Sequence, residues 1–161
     1  MNDRVFKVLF VSSGSAATGL MAESILGHMG SPRFEARSAS CRRVAHADPI
    51  AIDELWSRGY PTLDLGVKAA EEFARPDSPP LDIVVTVGEA EPRDQVLAWP
   101  GSPLTVVWDI PTPTAGDESE LRNSLHQVCQ QIEDAVKKLV ALPLDRLERS
   151  VAAARVRSLA A

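Results

Sequence analysis

One stretch near the start of the chain limits the folds open to it, because a strand pattern passes through a short loop directly into a helix pattern. Residues 7–11 read KVLFV, a short apolar run that predicts a strand buried on both faces. The loop SSGSAATG follows over residues 12–19, and LMAESILGHMG then places apolar residues at helical spacing until Gly30. A strand, a small-residue loop and a helix N-terminus in this order predict a backbone cradle for an anion.

The same alternation continues along the chain. Strands are predicted at 33–40, 81–88 and 104–110, and LDIVVTVG is the clearest because five of its eight residues are β-branched. Helices are predicted after Asp48 as far as Gly59, over 67–76, and from Asp117 to the break at Pro143. We therefore expect an α/β fold with three layers (α/β/α) around a four-stranded parallel sheet, whose ligand crevice lies at the carboxyl ends of the strands.

A further helix is predicted after that break, where LDRLERSVAAARVRSLAA carries an apolar stripe with arginines between. We expect one domain over residues 1–142 and a C-terminal helical extension over 143–161. The apolar stripe needs a cover, so the extension is expected to pack on the domain or to form a homodimer. Trp56, Trp99 and Trp108 are expected in or beside the core, and the last two alternatively wall the crevice.

Charge and composition exclude several classes of function. The 161 residues include 17 Lys plus Arg and 22 Asp plus Glu, a formal net charge of −5 that disfavours nucleic acid or an anionic membrane as partner. The longest apolar runs are far shorter than the roughly 18 residues of a membrane span, and the run VLFV near the start is too short for a signal-peptide core, so a cytoplasmic protein is expected. Cys41 and Cys129 lie far apart and His28, His46 and His126 are scattered, so we expect no metal and no other cofactor.

At VLFVSSGSAATGLMAE the sequence resembles the low-molecular-weight protein tyrosine phosphatases and the thioredoxin-coupled arsenate reductases that share their fold. In that family a strand leads into a cysteine, five loop residues and an arginine, and the following helix begins near a Met-Ala-Glu like that at 21–23. The resemblance continues through FEARSAS, EEFARPDSPPLDIVVTVG, WPG and VVWDIPTP to the long last helix. It covers nearly the whole chain, and it implies the low-molecular-weight tyrosine phosphatase fold with an extra C-terminal helix.

The departures from the family fall on its catalytic residues. The nucleophilic cysteine corresponds to Ser12, and the arginine that binds oxyanion oxygens corresponds to Thr18. A hydroxyl is protonated at neutral pH and needs a neighbouring base, and a threonine supplies no charge. The general-acid aspartate corresponds to Thr112, so Asp109 and Thr112 form a degenerate general-acid loop in which Asp109 is a weak substitute.

The resolving cysteines of arsenate reduction are missing as well. They correspond to Gly88 and Val96, which leaves no route for a thioredoxin-type disulfide relay. Five coordinated absences indicate natural loss of activity rather than a single laboratory change. We therefore expect a catalytically inactive homologue that acts as an oxyanion-binding, phosphoprotein-binding or regulatory module.

The loop keeps the backbone for anion binding although it has lost its charged side chain. The predicted anion-binding loop comprises Ser12, Ser13, Gly14, Ser15, Ala16, Ala17, Thr18 and Gly19. Its expected partner is a phosphate-like anion or a phosphorylated protein. Two alternatives stay open: an interaction scaffold that uses the fold surface and the C-terminal helix, and a residual phosphatase with Ser12 as nucleophile or Asp109 as acid.

Overall fold

The computed structural model describes residues 4–12, 16–41, 48–88, 98–111 and 116–160. The strands are β1 (Phe6–Ser12), β2 (Phe34–Ser40), β3 (Ile83–Val87) and β4 (Leu104–Trp108). The α-helices are α1 (Ala16–Met29), α2 (Pro49–Ser57), α3 (Glu118–Ala141) and α4 (Arg149–Ser158). Two short 3-10 helices, Ala70–Phe73 and Leu144–Arg146, are also described.

The four strands form one parallel sheet in the order β2-β1-β3-β4. β1 and β3 are central, and their apolar runs are buried on both faces, as their unbroken hydrophobic sequences predict. Neighbouring parallel strands need a crossover connection, which α1 supplies between β1 and β2. The α/β fold with a four-stranded parallel sheet, predicted from the alternating pattern, is therefore confirmed.

The larger hydrophobic core lies on one face of the sheet. There α1, α3 and α4 pack against side chains that alternate along the strands, and α2 packs against α3. Fully buried members of this core include Phe10, Met21, Leu55, Ile132 and Val136. The helical spacing of α3 places its apolar side chains along this face.

The opposite face of the sheet carries a smaller cluster. It consists of Leu9, Val11, Ala39, Ala70, Leu81 and Val84, with Cys41, Phe73 and Trp99 packed against them. The helix expected over 67–76 is only the 3-10 turn Ala70–Phe73. The reason is that Ala69 forms a parallel bridge with Ser40, and Lys68 O accepts a hydrogen bond from Ser40 N, which holds residues 68–69 extended along the free edge of β2.

The C-terminal extension packs on its own chain. Ala152, Val156 and Leu159 of this segment belong to the larger core. Trp108 of β4 is fully buried, and its Nε1 donates a hydrogen bond to Val156 O at 2.8 Å. Part of the expected apolar stripe of the extension is thus buried on the domain that precedes it, whereas Val151 and Ala154 of that stripe are exposed.

The expected burial of Trp56 is wrong, since this side chain is 74% exposed. The buried stripe of α2 runs through Ala51 and Leu55, which lie one turn apart, and the next residue along the helix points about 100° away from that stripe. Trp108 lies in the core as expected, and Trp99 is half-buried against the smaller cluster.

The helix ends follow the local sequence signals. Asp48 and Asp117 accept hydrogen bonds from Ile50 N and Glu120 N, so both are N-caps as predicted. Within the described ranges, none of the helices combines the length and the apolar character needed to cross a membrane.

Candidate functional site

Several of the residues that the sequence analysis singled out lie along the carboxyl edge of the sheet. Ser12, the last residue of β1, pairs in register with Ser40 of β2 on one side and Val87 of β3 on the other. Val87 in turn pairs with Trp108 of β4. Ser12, Gly88 and Asp109 therefore lie along one edge, as the strand–loop–helix pattern predicts.

The hydroxyl of Ser12 is occupied within the protein. Its Oγ accepts a hydrogen bond from Gly19 N at 2.8 Å and a longer one from Thr18 Oγ1 at 3.3 Å. The residue is only 1% exposed. The side chain at the family's nucleophile position thus contacts the first turns of α1, and the partners that the structure gives it are an amide and a hydroxyl.

Gly19 is required by this close approach. A Cβ atom at position 19 would lie 2.4 Å from Ser12 Oγ, closer than real Cβ contacts allow. Gly27 of the same helix has open space around the corresponding position, since a Cβ there meets nothing within 4 Å. The glycine at position 19 therefore allows the end of β1 and the start of α1 to come into contact.

Thr18 lies in the first turn of α1, next to Ser12. It is 2% exposed, and its hydroxyl donates to Ser12 rather than extending from the surface. Ala16 and Ala17, which precede it, are also buried. The helix that they start is 14 residues long, so its dipole places partial positive charge at this edge of the sheet. Residues 13–15 of the predicted loop lie outside the described residues.

Asp109 lies at the same edge but on the far side of β3 from Ser12. It directly follows β4 and its side chain is exposed. Two strand spacings separate β1 from β4, which is about 10 Å. The strand ends that carry Asp109 and Ser12 are therefore separated by the width of β3, and Asp109 as a substitute acid stays a prediction. Thr112, the other residue of the predicted general-acid loop, lies outside the described residues.

The sequence analysis did not predict a role for Cys41, yet the structure places it at this edge. Its backbone N donates to Ser12 O at 3.1 Å, and its side chain is half-buried. The sequence contains a signal for this position, because Cys41 directly follows β2 and β2 pairs in register with β1.

Gly88, at one of the family's relay positions, has a φ of 112° in the left-handed region that favours glycine, and its N donates to Trp108 O. Val96, at the other, lies outside the described residues.

Glu23 is a second residue that sequence reasoning did not place. Ser38 Oγ of β2 donates to its Oε1 at 2.9 Å, and Lys68 Nζ lies 4.0 Å from the same oxygen. Burial raises the pKa of the Glu23 carboxyl, and Lys68 and Ser38 offset part of that rise. These contacts join α1 to β2 beneath the edge that carries Ser12.

The described residues provide no metal centre. Among them, no group of three or more His, Cys, Asp or Glu side chains lies close enough to bind a metal ion. His28 and His126 lie on separate helices, where His28 contacts the ring of Tyr60 and His126 contacts Glu54. His46 lies outside the described residues.

Comparison with known proteins agrees with the fold. A model of the low molecular weight phosphotyrosine protein phosphatases matches residues 7–153. The chain is similar to an arsenate reductase solved in its phosphate-binding state, at 20% identity and a TM-score of 0.66 over 84% of this chain and 97% of the other. A low molecular weight protein tyrosine phosphatase from T. tengcongensis gives the same four values. An arsenate reductase from Archaeoglobus fulgidus is 25% identical, with a TM-score of 0.60 over 81% of this chain and 98% of the other.

No curated protein matches the chain by sequence. The family match nevertheless covers most of the chain, from the first strand into α4. The chain belongs to the low molecular weight phosphotyrosine protein phosphatase family.

Proposed function

We propose that this protein is a catalytically inactive member of its family that binds a phosphate-like oxyanion, either free or on a phosphorylated protein, and acts as a regulatory module. The observation that carries the proposal is the state of Ser12, whose Oγ is buried and accepts a 2.8 Å hydrogen bond from Gly19 N. Strand end, helix start and parallel sheet keep the family's arrangement, while the side chain at the nucleophile position has become part of the packing.

A serine nucleophile needs a base to remove its proton. The partners of Ser12 Oγ are a backbone amide and the Thr18 hydroxyl, and neither accepts a proton near neutral pH. A hydrogen bond from an amide to Oγ favours the ionised form of the hydroxyl. The pKa of a serine hydroxyl is nevertheless too high for such a bond to ionise it at pH 7. This supports a loss of nucleophilic chemistry.

The negative charge of a transition state also lacks the arginine that the family places at position 18. Phosphoryl and arsenyl oxygens are best matched by a guanidinium, which donates two parallel charge-assisted hydrogen bonds. Thr18 at that position donates one neutral hydrogen bond, and it makes that bond to Ser12. Gly88 at a relay position supplies no thiol, so reduction of arsenate through a disulfide has no route there.

Anion binding is supported by the helix N-terminus that remains at the carboxyl edge. The N-terminus of α1 faces the carboxyl edge of the sheet, and a helix of this length attracts negative charge at its start. A loop that offers amides and hydroxyls but has no Lys or Arg of its own is expected to bind inorganic oxyanions in the millimolar range, because neutral hydrogen bonds are roughly half as strong as charge-assisted ones. We place the protein in the cytoplasm, where the free thiols of Cys41 and Cys129 persist.

An interaction scaffold is the second candidate, and it is favoured by two exposed apolar side chains. Trp56 is 74% exposed and Leu63 is 97% exposed. Large apolar side chains at the surface are enriched where proteins bind partners. In this alternative the carboxyl edge binds no anion and the surface around α2 contacts another protein or a second copy of the chain.

Calorimetric titration of phosphate, arsenate and sulfate separates these two candidates. We expect millimolar binding to the natural protein and at least about tenfold tighter binding to Thr18→Arg, because that substitution restores a charge-assisted pair. The matched control is Thr105→Arg, which adds the same charge at an exposed position of β4 and should leave the affinity unchanged. Binding by Thr18→Arg alone would support the scaffold, and no binding by either protein would contradict an anion site.

A further inference from the structure

A lysine from outside the predicted anion-binding loop lies at the same edge of the sheet. Lys68 belongs to the extended segment beside β2, where its backbone O accepts a hydrogen bond from Ser40 N at 2.8 Å and the next residue, Ala69, pairs with Ser40. Ser40 in turn pairs in register with Ser12 of β1. The backbone of Lys68 is therefore two strand spacings from that of Ser12, which is about 10 Å.

The ammonium group of Lys68 is loosely held. Its Nζ lies 4.0 Å from Glu23 Oε1, beyond the roughly 3.2 Å limit of a hydrogen bond. The ion pairs printed between other described residues are all shorter. The Lys68 side chain is 36% exposed, and its charge sits on a flexible four-carbon stem. It can therefore turn from Glu23 to another anion at little cost.

Glu23 keeps other partners when Lys68 moves. Ser38 Oγ donates to the same carboxylate oxygen at 2.9 Å. Arg37 of β2 adds a second positive charge that lowers the pKa of Glu23. The carboxyl thus retains a hydrogen bond and a nearby charge without the ammonium.

The anion-binding loop needs a positive charge from elsewhere in the chain. Residues 12–19 include no Lys or Arg, and the Thr18 hydroxyl donates to Ser12. The N-terminus of α1 contributes only about half an elementary charge. An ammonium group in contact with an oxyanion makes charge-assisted hydrogen bonds, which are roughly twice as strong as the neutral ones that the loop offers.

We propose that Lys68 is the cation of the anion site, and that its ammonium turns from Glu23 to an oxyanion bound at the N-terminus of α1. This inference rests on the proposed function, because it requires an anion at that edge. The flexible stem of lysine covers most of the separation from Ser12, and the oxyanion between them covers the rest. Because a lysine is a point charge without the planar fork of arginine, the site selects for negative charge rather than for the shape of one oxyanion.

The movement of Lys68 couples anion binding to a proton. Burial raises the pKa of Glu23, and Lys68 opposes that rise. When the ammonium turns away, this opposition is lost and the carboxyl takes up a proton more readily. Anion binding and protonation of Glu23 therefore favour each other, so the affinity for an anion should rise as the pH falls.

The first test is a titration of sodium sulfate at pH 7 and constant ionic strength, followed by the chemical shift of the Gly19 amide. Lys68→Met should weaken sulfate binding at least about fivefold, because it keeps the stem and removes the charge. Lys68→Arg restores the charge and should bind within about twofold of the natural protein. The control is Lys137→Met, which removes an exposed lysine paired with Glu133 on α3 and should not change the affinity.

The second test repeats the titration between pH 5 and pH 7. Sulfate keeps its charge over this range, unlike a phosphate group, whose second pKa is about 6. The natural protein should bind sulfate at least about threefold more tightly at pH 5 than at pH 7. Glu23→Gln still accepts a hydrogen bond from Ser38 and should lose this pH dependence. Glu35→Gln, which removes a half-exposed carboxylate of β2, should keep it.

The outcomes separate this proposal from the proposed function. If the natural protein and Lys68→Met bind sulfate equally, the anion site stands and the role of Lys68 is overturned. If Lys68→Arg binds as weakly as Lys68→Met, the loss does not come from the charge, and the proposal is overturned as well. A pH dependence as steep in Glu23→Gln as in Glu35→Gln would contradict the exchange between the carboxyl and the anion. No saturable shift in the natural protein would contradict the anion site itself, and the role of Lys68 with it.

Discussion

At the scale of single residues, the contact between Ser12 and Gly19 explains both the geometry and the chemistry of the carboxyl edge. A cysteine sulfur or a serine oxygen at position 12 can accept the Gly19 amide, but only a residue without Cβ fits at position 19. The Gly19 amide therefore binds the side chain at position 12, although Ser12 and Thr18 supply neither a thiolate nor a cation. The next two predictions test this contact from each side.

Gly19→Ala should destabilise the protein by about 1–3 kcal/mol, because its methyl group must displace Ser12 Oγ. Gly27→Ala is the matched control in the same helix, and it should be neutral or stabilising by up to about 1 kcal/mol since its Cβ meets open space. Urea unfolding measures both. A Gly19→Ala protein as stable as Gly27→Ala would show that the close approach to Ser12 is not a constraint.

Ser12→Cys should create a thiol with a pKa below the ordinary thiol range of about 8–9. The reason is that the Gly19 amide and the N-terminus of α1 both favour a thiolate at this position. The measurement is the pH dependence of ultraviolet thiolate absorbance, with the natural protein as the baseline for Cys41 and Cys129. A new thiol that titrates at or above its ordinary range would mean that the amide arrangement no longer stabilises an anion.

At the scale of elements, hydrophobic periodicity predicted the strands and the long helices, whereas contacts between distant elements decided the exceptions. The segment 67–76 has a helical pattern, but Ser40 of β2 holds its first residues extended. Trp56 has the composition of a core residue, but its position one step beyond Leu55 turns it to solvent. Neither exception can be read from the local sequence, because each depends on which element lies beside it.

The attachment of α4 to β4 gives a prediction at this scale. Trp108→Phe removes the donor for Val156 O and part of a fully buried ring, and it should cost about 2–4 kcal/mol. Trp56→Phe changes the same side chain at a 74% exposed position and should stay within about 0.5 kcal/mol of the natural protein. Equal stabilities of the two variants, measured by chemical denaturation, would contradict a docked α4.

At the scale of the whole molecule, burial of titratable groups between α2 and α3 makes stability depend on pH. Arg58 bonds to Glu54 at 2.8 Å and to Glu133 at 3.3 Å, and the Tyr60 hydroxyl donates to Glu133 at 2.7 Å. Burial raises the pKa of Tyr60, and the bond to Glu133 raises it further. Beneath this group, burial raises the pKa of the Cys129 thiol to about 12 from its ordinary 9.0, although Arg58 opposes the rise.

A group whose pKa is raised in the folded state stabilises the protein fully at pH values below its unfolded pKa. This stabilisation is lost as the pH rises from the unfolded pKa towards the folded one. The unfolded Cys129 thiol ionises from pH 9.0 upward while the folded one stays protonated, so stability should fall with a slope that approaches about 1.4 kcal/mol per pH unit. Cys129→Ala should remove the thiol's part of that slope between pH 9 and 10, where at most half of the unfolded Tyr60 hydroxyl, whose ordinary pKa is 10.0, has ionised.

The control for this pH dependence is Val128→Ala, which also removes a buried side chain but no titratable group. It should be less stable than the natural protein at every pH and keep the natural slope. Urea unfolding at several pH values gives both slopes. A Cys129→Ala protein that loses stability with pH as steeply as Val128→Ala would show that the thiol is not responsible.

The sheet and its carboxyl edge were predictable because each depends on local patterns: β-branched runs, a small-residue loop and capped helices. The position of Ser12 at that edge follows from the same patterns. Its hydrogen bond to Gly19 and the presence of Cys41 beside it depend on how two strands and a helix meet, which spacing alone does not give.

The most direct test of the central claim is turnover of an aryl phosphate by the natural protein and by Ser12→Ala. The account predicts that p-nitrophenyl phosphate hydrolysis by the two purified proteins is the same and equals the rate without protein, because Ser12 Oγ is buried and its partners among the described residues, the Gly19 amide and the Thr18 hydroxyl, are not bases. A rate in the natural protein that exceeds this background and disappears in Ser12→Ala would establish Ser12 as a nucleophile and contradict the account.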